Sequence, residues 1–176
     1  IELNYSIDEI LSIIENVNNY YLIFDSVVSS KQYHNNNVHI VLDMPFPFQD
    51  RDYIVKFIKY LKDKDVVYSF SATNDHNIKN LDNTIRLINA MGEWRLKAIN
   101  EHFTKVTYIW NGELRGNFPS WSSSTAWTRQ GNEVLNNLKQ KLDSKSSVKK
   151  KHDSGPLDII RSHSTYKTSS QKSAIV

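Results

Sequence analysis

Between residues 38 and 114 the chain repeats one device, and that device restricts the possible folds more than anything else in the sequence. Segments rich in β-branched and aromatic residues cover 38–44, 53–61, 66–72, 84–91, 93–99 and 105–114. Between them lie Asn-Asn-Asn, Lys-Asp-Lys-Asp, a long polar stretch over 73–83 and Asn-Glu-His, all residues that favour turns over ladders. The pattern predicts about six strands in an antiparallel meander. Alternation places Val38, Ile40, Leu42 and Met44 on one face, with Tyr53, Val55 and Phe57, then Val66, Tyr68 and Phe70, as further same-face sets.

Helices bracket the strands. Ile1 to Tyr5 alternates like a strand end, and Ser6 with Glu9 has the spacing of a capping box, in which each side chain satisfies the other's backbone donor. A helix follows, with Ile7, Ile10, Leu11, Ile14 and Val17 on one face, and Asn18-Asn19 stops it. Near the other end Trp127, Gly131, Val134, Leu135, Leu138 and Leu142 mark one face of a closing helix. The layout is α+β: an antiparallel sheet with helices on one side. A sheet this long curls, and curling around the last helix would enclose apolar space of the kind that holds ligands. The same inward aromatics are equally consistent with a solid core.

Length and charge set the domain plan. The 176 residues suffice for one domain with a sizeable core. Residues 143–176 hold seven Lys or Arg against three Asp, so the net charge of +3 leaves the first 142 residues at −1. The basic character belongs to a Ser/Lys-rich tail, expected to be disordered, and the body at 1–142 offers no nucleic-acid footprint. No cysteine is present, which excludes a disulfide framework and a thiolate metal site. No apolar run approaches the roughly 18 residues of a membrane span, so a soluble protein is expected, with the cytoplasm favoured. The chain opens on Ile1, which is read as a lost natural start.

Catalytic constellations are sparse. The histidines at 34, 39, 76, 102, 152 and 163 form no i, i+4 pair, and neither a nucleophile elbow nor a Gly-rich phosphate loop occurs among five glycines. Asp50 and Asp52 are two apart on a predicted strand, which permits an acid/base pair, but Arg51 between them points to charge balance. Pro45 and Pro47 stiffen the approach to this triplet. In the structural reading Arg51 pairs with Asp50, Asp52 or another carboxylate. In the functional one it projects inward to a ligand head group. The first is preferred, because ion pairs at strand entrances are common.

Several motifs, each weak alone, resemble the START lipid-transfer domain in order and spacing. They are RDYIVKF at 51–57, TIRLINAMGEWRL at 84–96, and TKVTYIWNGELRGNFPSW at 104–121 followed by a helix ending LNNLKQKL. The resemblance covers most of residues 1–142 and implies a helix-grip: a curved antiparallel sheet around a long C-terminal helix, with a hydrophobic tunnel between them. It also implies that the family's opening helix and first strands are missing. On this basis the chain is expected to bind, and to carry between membranes, a lipid or other hydrophobic ligand, with transient membrane contact and no cofactor or metal. The alternative is a helix-grip aromatase/cyclase-like enzyme acting in the same tunnel. Carried over by position, 73–83 resembles the loop over the tunnel mouth and 122–142 the lid helix. Tunnel and lid candidates are Arg51, Tyr53, Val55, Phe57, Trp94, Tyr108, Trp110, Trp127 and Val134. Phe57 stands where sterol-binding members tend to carry a second arginine, and Ser122-Ser123-Ser124 is more polar than the family pattern there.

Overall fold

The structure is a computed structural model that describes residues 1–113, 115 and 120–153, in backbone only at 120–129 and 149–153. Its elements are β1 (Glu2–Leu3), α1 (Ile7–Ile14), a 3-10 segment (Val17–Leu22), β2 (Val27–Gln32), β3 (Asn37–Leu42), β4 (Asp50–Lys62), β5 (Asp65–Ala72), β6 (Thr84–Arg86), β7 (Ala90–Ala98), β8 (Thr104–Gly112) and α2 (Ser120–Asp153). Residues Ile1–Leu142 form one compact unit and Asp143–Val176 a second. The eight strands form one sheet in the order β1-β8-β7-β5-β4-β3-β2, with β6 added beside β4.

Local chemistry explains most element boundaries. At α1 the capping box forms as the sequence predicts: the Ser6 amide donates to Glu9 Oε2 at 2.8 Å and the Glu9 amide to Ser6 Oγ at 3.3 Å. Ile10, Ile13 and Ile14 then bury one face of the helix. Between β4 and β5, Asp63 and Lys64 both take positive φ, the geometry of a two-residue hairpin turn whose twist matches the strands it joins.

Strand β4 is the longest, at 13 residues against eight for β5. Its pairing with β5 starts only at Val55, opposite Ala72, so the first residues of β4 need another neighbour on that side. β6 supplies it, running parallel to β4 with Asp50, Arg51 and Asp52 opposite Thr84, Ile85 and Arg86. The single strand expected over 84–91 is therefore two, broken between Arg86 and Ala90 so that the chain can leave β4 and join β5 as β7.

Within the first unit the concave face carries the core. Val38, Ile40 and Leu42 of β3, Tyr53 and Val55 of β4, Tyr68 and Phe70 of β5, and Trp94 and Leu96 of β7 pack in one cluster with α1 and with Val134, Leu138 and Leu142 of α2. The sets that alternation placed on separate faces of separate strands thus share one surface. Polar contacts fasten α2 to this layer as well. Asn137 Nδ2 donates to Asp25 Oδ2 at 2.9 Å, and its Oδ1 accepts from the Asp25 amide at 3.2 Å.

Two segments differ from expectation. Residues 17–32, read as a helix end and a connection, form the 3-10 segment and edge strand β2. The helix expected to end at Leu142 continues to Asp153, so the first part of the expected tail is helical; residues 154–176 lie outside the described residues.

Gly92 is where the concave layer is tightest. A Cβ there would meet the Ile109 carbonyl and lie 2.5 Å from Phe70 Cζ. Gly92→Ala is expected to cost about 1–3 kcal/mol by forcing Phe70 out of place. The check is the urea midpoint at constant slope; an unmoved midpoint would show that the ring has free space after all.

Candidate ligand-binding site

Between the concave sheet and α2 lies a cavity of about 40 Å³, room for about three water molecules. Tyr20 of the 3-10 segment, Phe24 and Ser26 of the link to β2, and Val27 at the start of β2 wall one side. The rest of the wall is Ile40, Leu42, Tyr53, Phe57 and Phe70 from β3 to β5, Trp94, Tyr108 and Trp110 from β7 and β8, and Gln130 and Val134 from α2. None of these described lining residues carries a charge.

Aromatic packing keeps the space small. Phe57 stacks on Tyr68 with centroids 4.8 Å apart, Trp94 leans on Tyr108 at 4.5 Å, and Phe24 stacks on Trp94 at 6.0 Å. Tyr20 meets Phe24 and Phe57 edge-on and donates its hydroxyl to the Ile14 carbonyl. Burial pushes the phenols of Tyr20, Tyr53 and Tyr108 well above their ordinary values, so each stays protonated. The hydroxyls of Tyr53 and Tyr108 form no hydrogen bond among the described residues.

The Asp-Arg-Asp triplet at the start of β4 divides between the two faces of the sheet. Arg51 shares the concave side with Tyr53 but is 1% exposed and is not part of the cavity wall. Its guanidinium donates to the Gln49 carbonyl and, at 2.9 Å, to the Arg115 carbonyl, bracing the strand's entrance against the segment that follows β8. Burial lowers its pKa against the opposing pull of Asp50.

Asp52 faces the other way and is completely buried. Arg86 Nε donates to its Oδ2 at 2.8 Å, and His39 Nε2 lies 2.7 Å from the same oxygen. The expected carboxylate pairing therefore exists, but the cation paired with Asp52 is Arg86, one strand over. Burial pushes the Asp52 carboxyl up, and the hydrogen bonds from His39 and Arg86 outweigh it, leaving the group below its ordinary range. An acid/base role with Asp50 does not fit this geometry. Asp50 accepts from the Met44 amide at 3.1 Å, and Asp52 is committed to its two cations away from the cavity.

Solved structures share this arrangement of sheet and closing helix. A StAR-related lipid transfer protein fragment from Xanthomonas axonopodis superposes with a TM-score of 0.70 at 17% identity, over 81% of this chain and 82% of that one. Human STARD10 gives 0.72 at 11% identity, over 85% of this chain and 63% of that one. The chain has a START-like fold. The Zhui aromatase/cyclase from Streptomyces sp. R1128 shares the START-like architecture at a TM-score of 0.53 and 12% identity, over 81% of this chain and 90% of that one. No protein-family profile matches the chain, and no curated protein does.

Within the START-like fold the nine residues expected at the tunnel and lid take different places. Tyr53, Phe57, Trp94, Tyr108, Trp110 and Val134 line the cavity. Val55 is fully buried in the core behind it, Arg51 braces backbone, and the Trp127 side chain lies outside the described residues. The stretch 73–83 does not reach the cavity. Asp75 Oδ2 accepts from Asn37 Nδ2 at 2.6 Å, and Ile78 is buried; Asn37 alternates with the inward Val38 of β3, so this loop covers the outer face of the sheet. The connection between β3 and β4 starts beside the lining residue Leu42 instead, and it presents Phe46 97% exposed. Tyr20, Phe24 and Val27 are lining residues that sequence reasoning missed, although the aromatic-rich run from Tyr20 to Phe24 was a visible signal.

Asp52 makes the acid stability of the protein predictable. A carboxyl depressed in the fold contributes fully above its unfolded value near pH ~3.9, and the contribution is lost as pH falls through the lower folded value. Asp52→Asn is expected to lose about 1.5–3 kcal/mol at neutral pH and to show a shallower fall in stability below pH ~4. Parallel acid limbs in the two proteins, measured by urea titration at each pH, would show that Asp52 does not set the acid response.

Proposed function

We propose that the protein binds a lipid or other hydrophobic ligand between the concave sheet and α2 and carries it between membranes. The observation that carries this reading is the uncharged, predominantly aromatic wall of the cavity, set at the seam where sheet and closing helix meet. Burying a hydrocarbon chain is worth about 0.8 kcal/mol per methylene, so apolar walls supply most of the affinity. The cavity of about 40 Å³ is a closed state. Loading then requires the stacked rings to part and α2 to move, and the Asn137–Asp25 contact is one bond that such a motion has to stretch.

A carrier is preferred to the cyclase-like alternative on chemistry. Among the described lining residues there is no carboxylate, imidazole or amine to move a proton, and the phenols are held protonated. Phe46 suits the membrane step: an aromatic ring in full exposure between two prolines, on the connection next to a lining residue.

Native mass spectrometry of the purified chain, before and after incubation with liposomes, is expected to show a bound lipid-sized mass. A bare chain under both conditions, or a released mass chemically altered from the one loaded, would count against the carrier. Phe46→Asp is expected to reduce vesicle co-sedimentation several-fold with little change in melting temperature. Equal sedimentation would place membrane contact elsewhere.

A further inference from the structure

We propose that the cavity selects an uncharged ligand whose one polar group, a hydroxyl or a carbonyl, is held by the hydroxyls of Tyr53 and Tyr108. This rests on the carrier reading above and narrows it to a chemical class. The first support is the cavity wall: its described polar members are the phenols of Tyr20, Tyr53 and Tyr108, Ser26, Gln130 and the Trp94 and Trp110 indoles, all neutral. A phosphate, carboxylate or quaternary ammonium drawn into such a space would lose its hydration without gaining an ionic partner, which costs far more than burying a neutral group that finds a hydrogen bond.

The neighbouring charges are already committed. Arg51 holds the carbonyls of Gln49 and Arg115, and Asp25 is fastened to Asn137. Neither belongs to the cavity wall.

The second support is an unmet demand. Tyr53 is 7% exposed, lines the cavity and makes no hydrogen bond among the described residues; Tyr108 lines the same cavity in the same condition. The two phenols sense each other: burial raises Tyr108 first, and the neighbouring Tyr53 adds to it. A hydroxyl left without a partner in an apolar setting costs about 1–3 kcal/mol. One ligand oxygen placed between the two would satisfy both, whereas Tyr20 is already spent on the Ile14 carbonyl. Two donors converging on one oxygen fix the ligand's polar end, and the aromatic rings accept the remainder.

Four probes with the same chain length separate the possibilities: monolaurin (neutral), laurate (anionic), lauroyl lysophosphatidylcholine (zwitterionic) and dodecane (no head), each titrated below its critical micelle concentration against intrinsic tryptophan fluorescence. Monolaurin is expected to bind about tenfold or more tighter than laurate or the lysolipid. In the Tyr53→Phe/Tyr108→Phe variant its advantage over dodecane should shrink by about tenfold, the equivalent of one lost hydrogen bond. Dodecane serves as the control, because the variant keeps both rings. Tighter binding of laurate or the lysolipid, or an unchanged monolaurin-to-dodecane ratio in the variant, overturns the inference while the carrier reading stands. Failure of all four probes to bind overturns both.

Discussion

The structure depends on one strand being too long for its neighbour. β4 runs 13 residues from Asp50 to Lys62, and β5 covers only the part from Val55 onward. On one side β3 pairs with Asn37 to Leu42 against Lys56 to Arg51; on the other, the uncovered entrance is completed by β6 in parallel. Because β6 must reach back to that entrance, the chain between β5 and β6 has to cross the outer face. There it buries Ile78, brings Arg86 to Asp52 and docks Asp75 on Asn37. With its outer face covered, the same strand presents Tyr53, Val55 and Phe57 inward to the core and cavity. Structural and ligand-facing roles thus alternate residue by residue along β4, and the Asp-Arg-Asp triplet is where the structural set begins.

The outer-face charges carry a desolvation cost. One Asp52 oxygen receives both Arg86 and His39, and the other, Oδ1, is buried without a partner among the described residues. A buried ion pair is weak support for stability by itself, but removing one partner strands the other, so the three groups behave as a unit. The unit joins β3, β4 and β6, strands distant in sequence that no hydrophobic contact between His39, Asp52 and Arg86 could specify in register.

Much of this was legible in the sequence. Alternation in β3, β4 and β5, the Ser6–Glu9 box and the face of α2 at Val134, Leu138 and Leu142 are each local patterns, and local patterns survive into the fold. The 3-10 segment and β2 were not legible. β2 has a register shift between Val27 and Ser29, which destroys the period-two alternation by which a strand announces itself, and with it went the lining residues Tyr20, Phe24 and Val27. The partner of Asp52 was equally hidden, since Arg86 meets it through a parallel pairing of three residues that leaves no pattern in the chain. Of the candidate site, the aromatic members were readable because inward strand positions alternate. The inertness of Arg51 was not, because it depends on carbonyls 2 and 64 residues away.

The ring-on-ring packing of Phe57, Tyr68, Trp94 and Tyr108 sets stability and uptake in opposition. Every contact that holds the empty protein together is one that an incoming molecule must break, so the affinity measured at equilibrium is the intrinsic affinity reduced by the fraction of molecules already open. Selection for faster loading would therefore erode the melting temperature, and selection for a sturdier fold would slow the exchange of cargo.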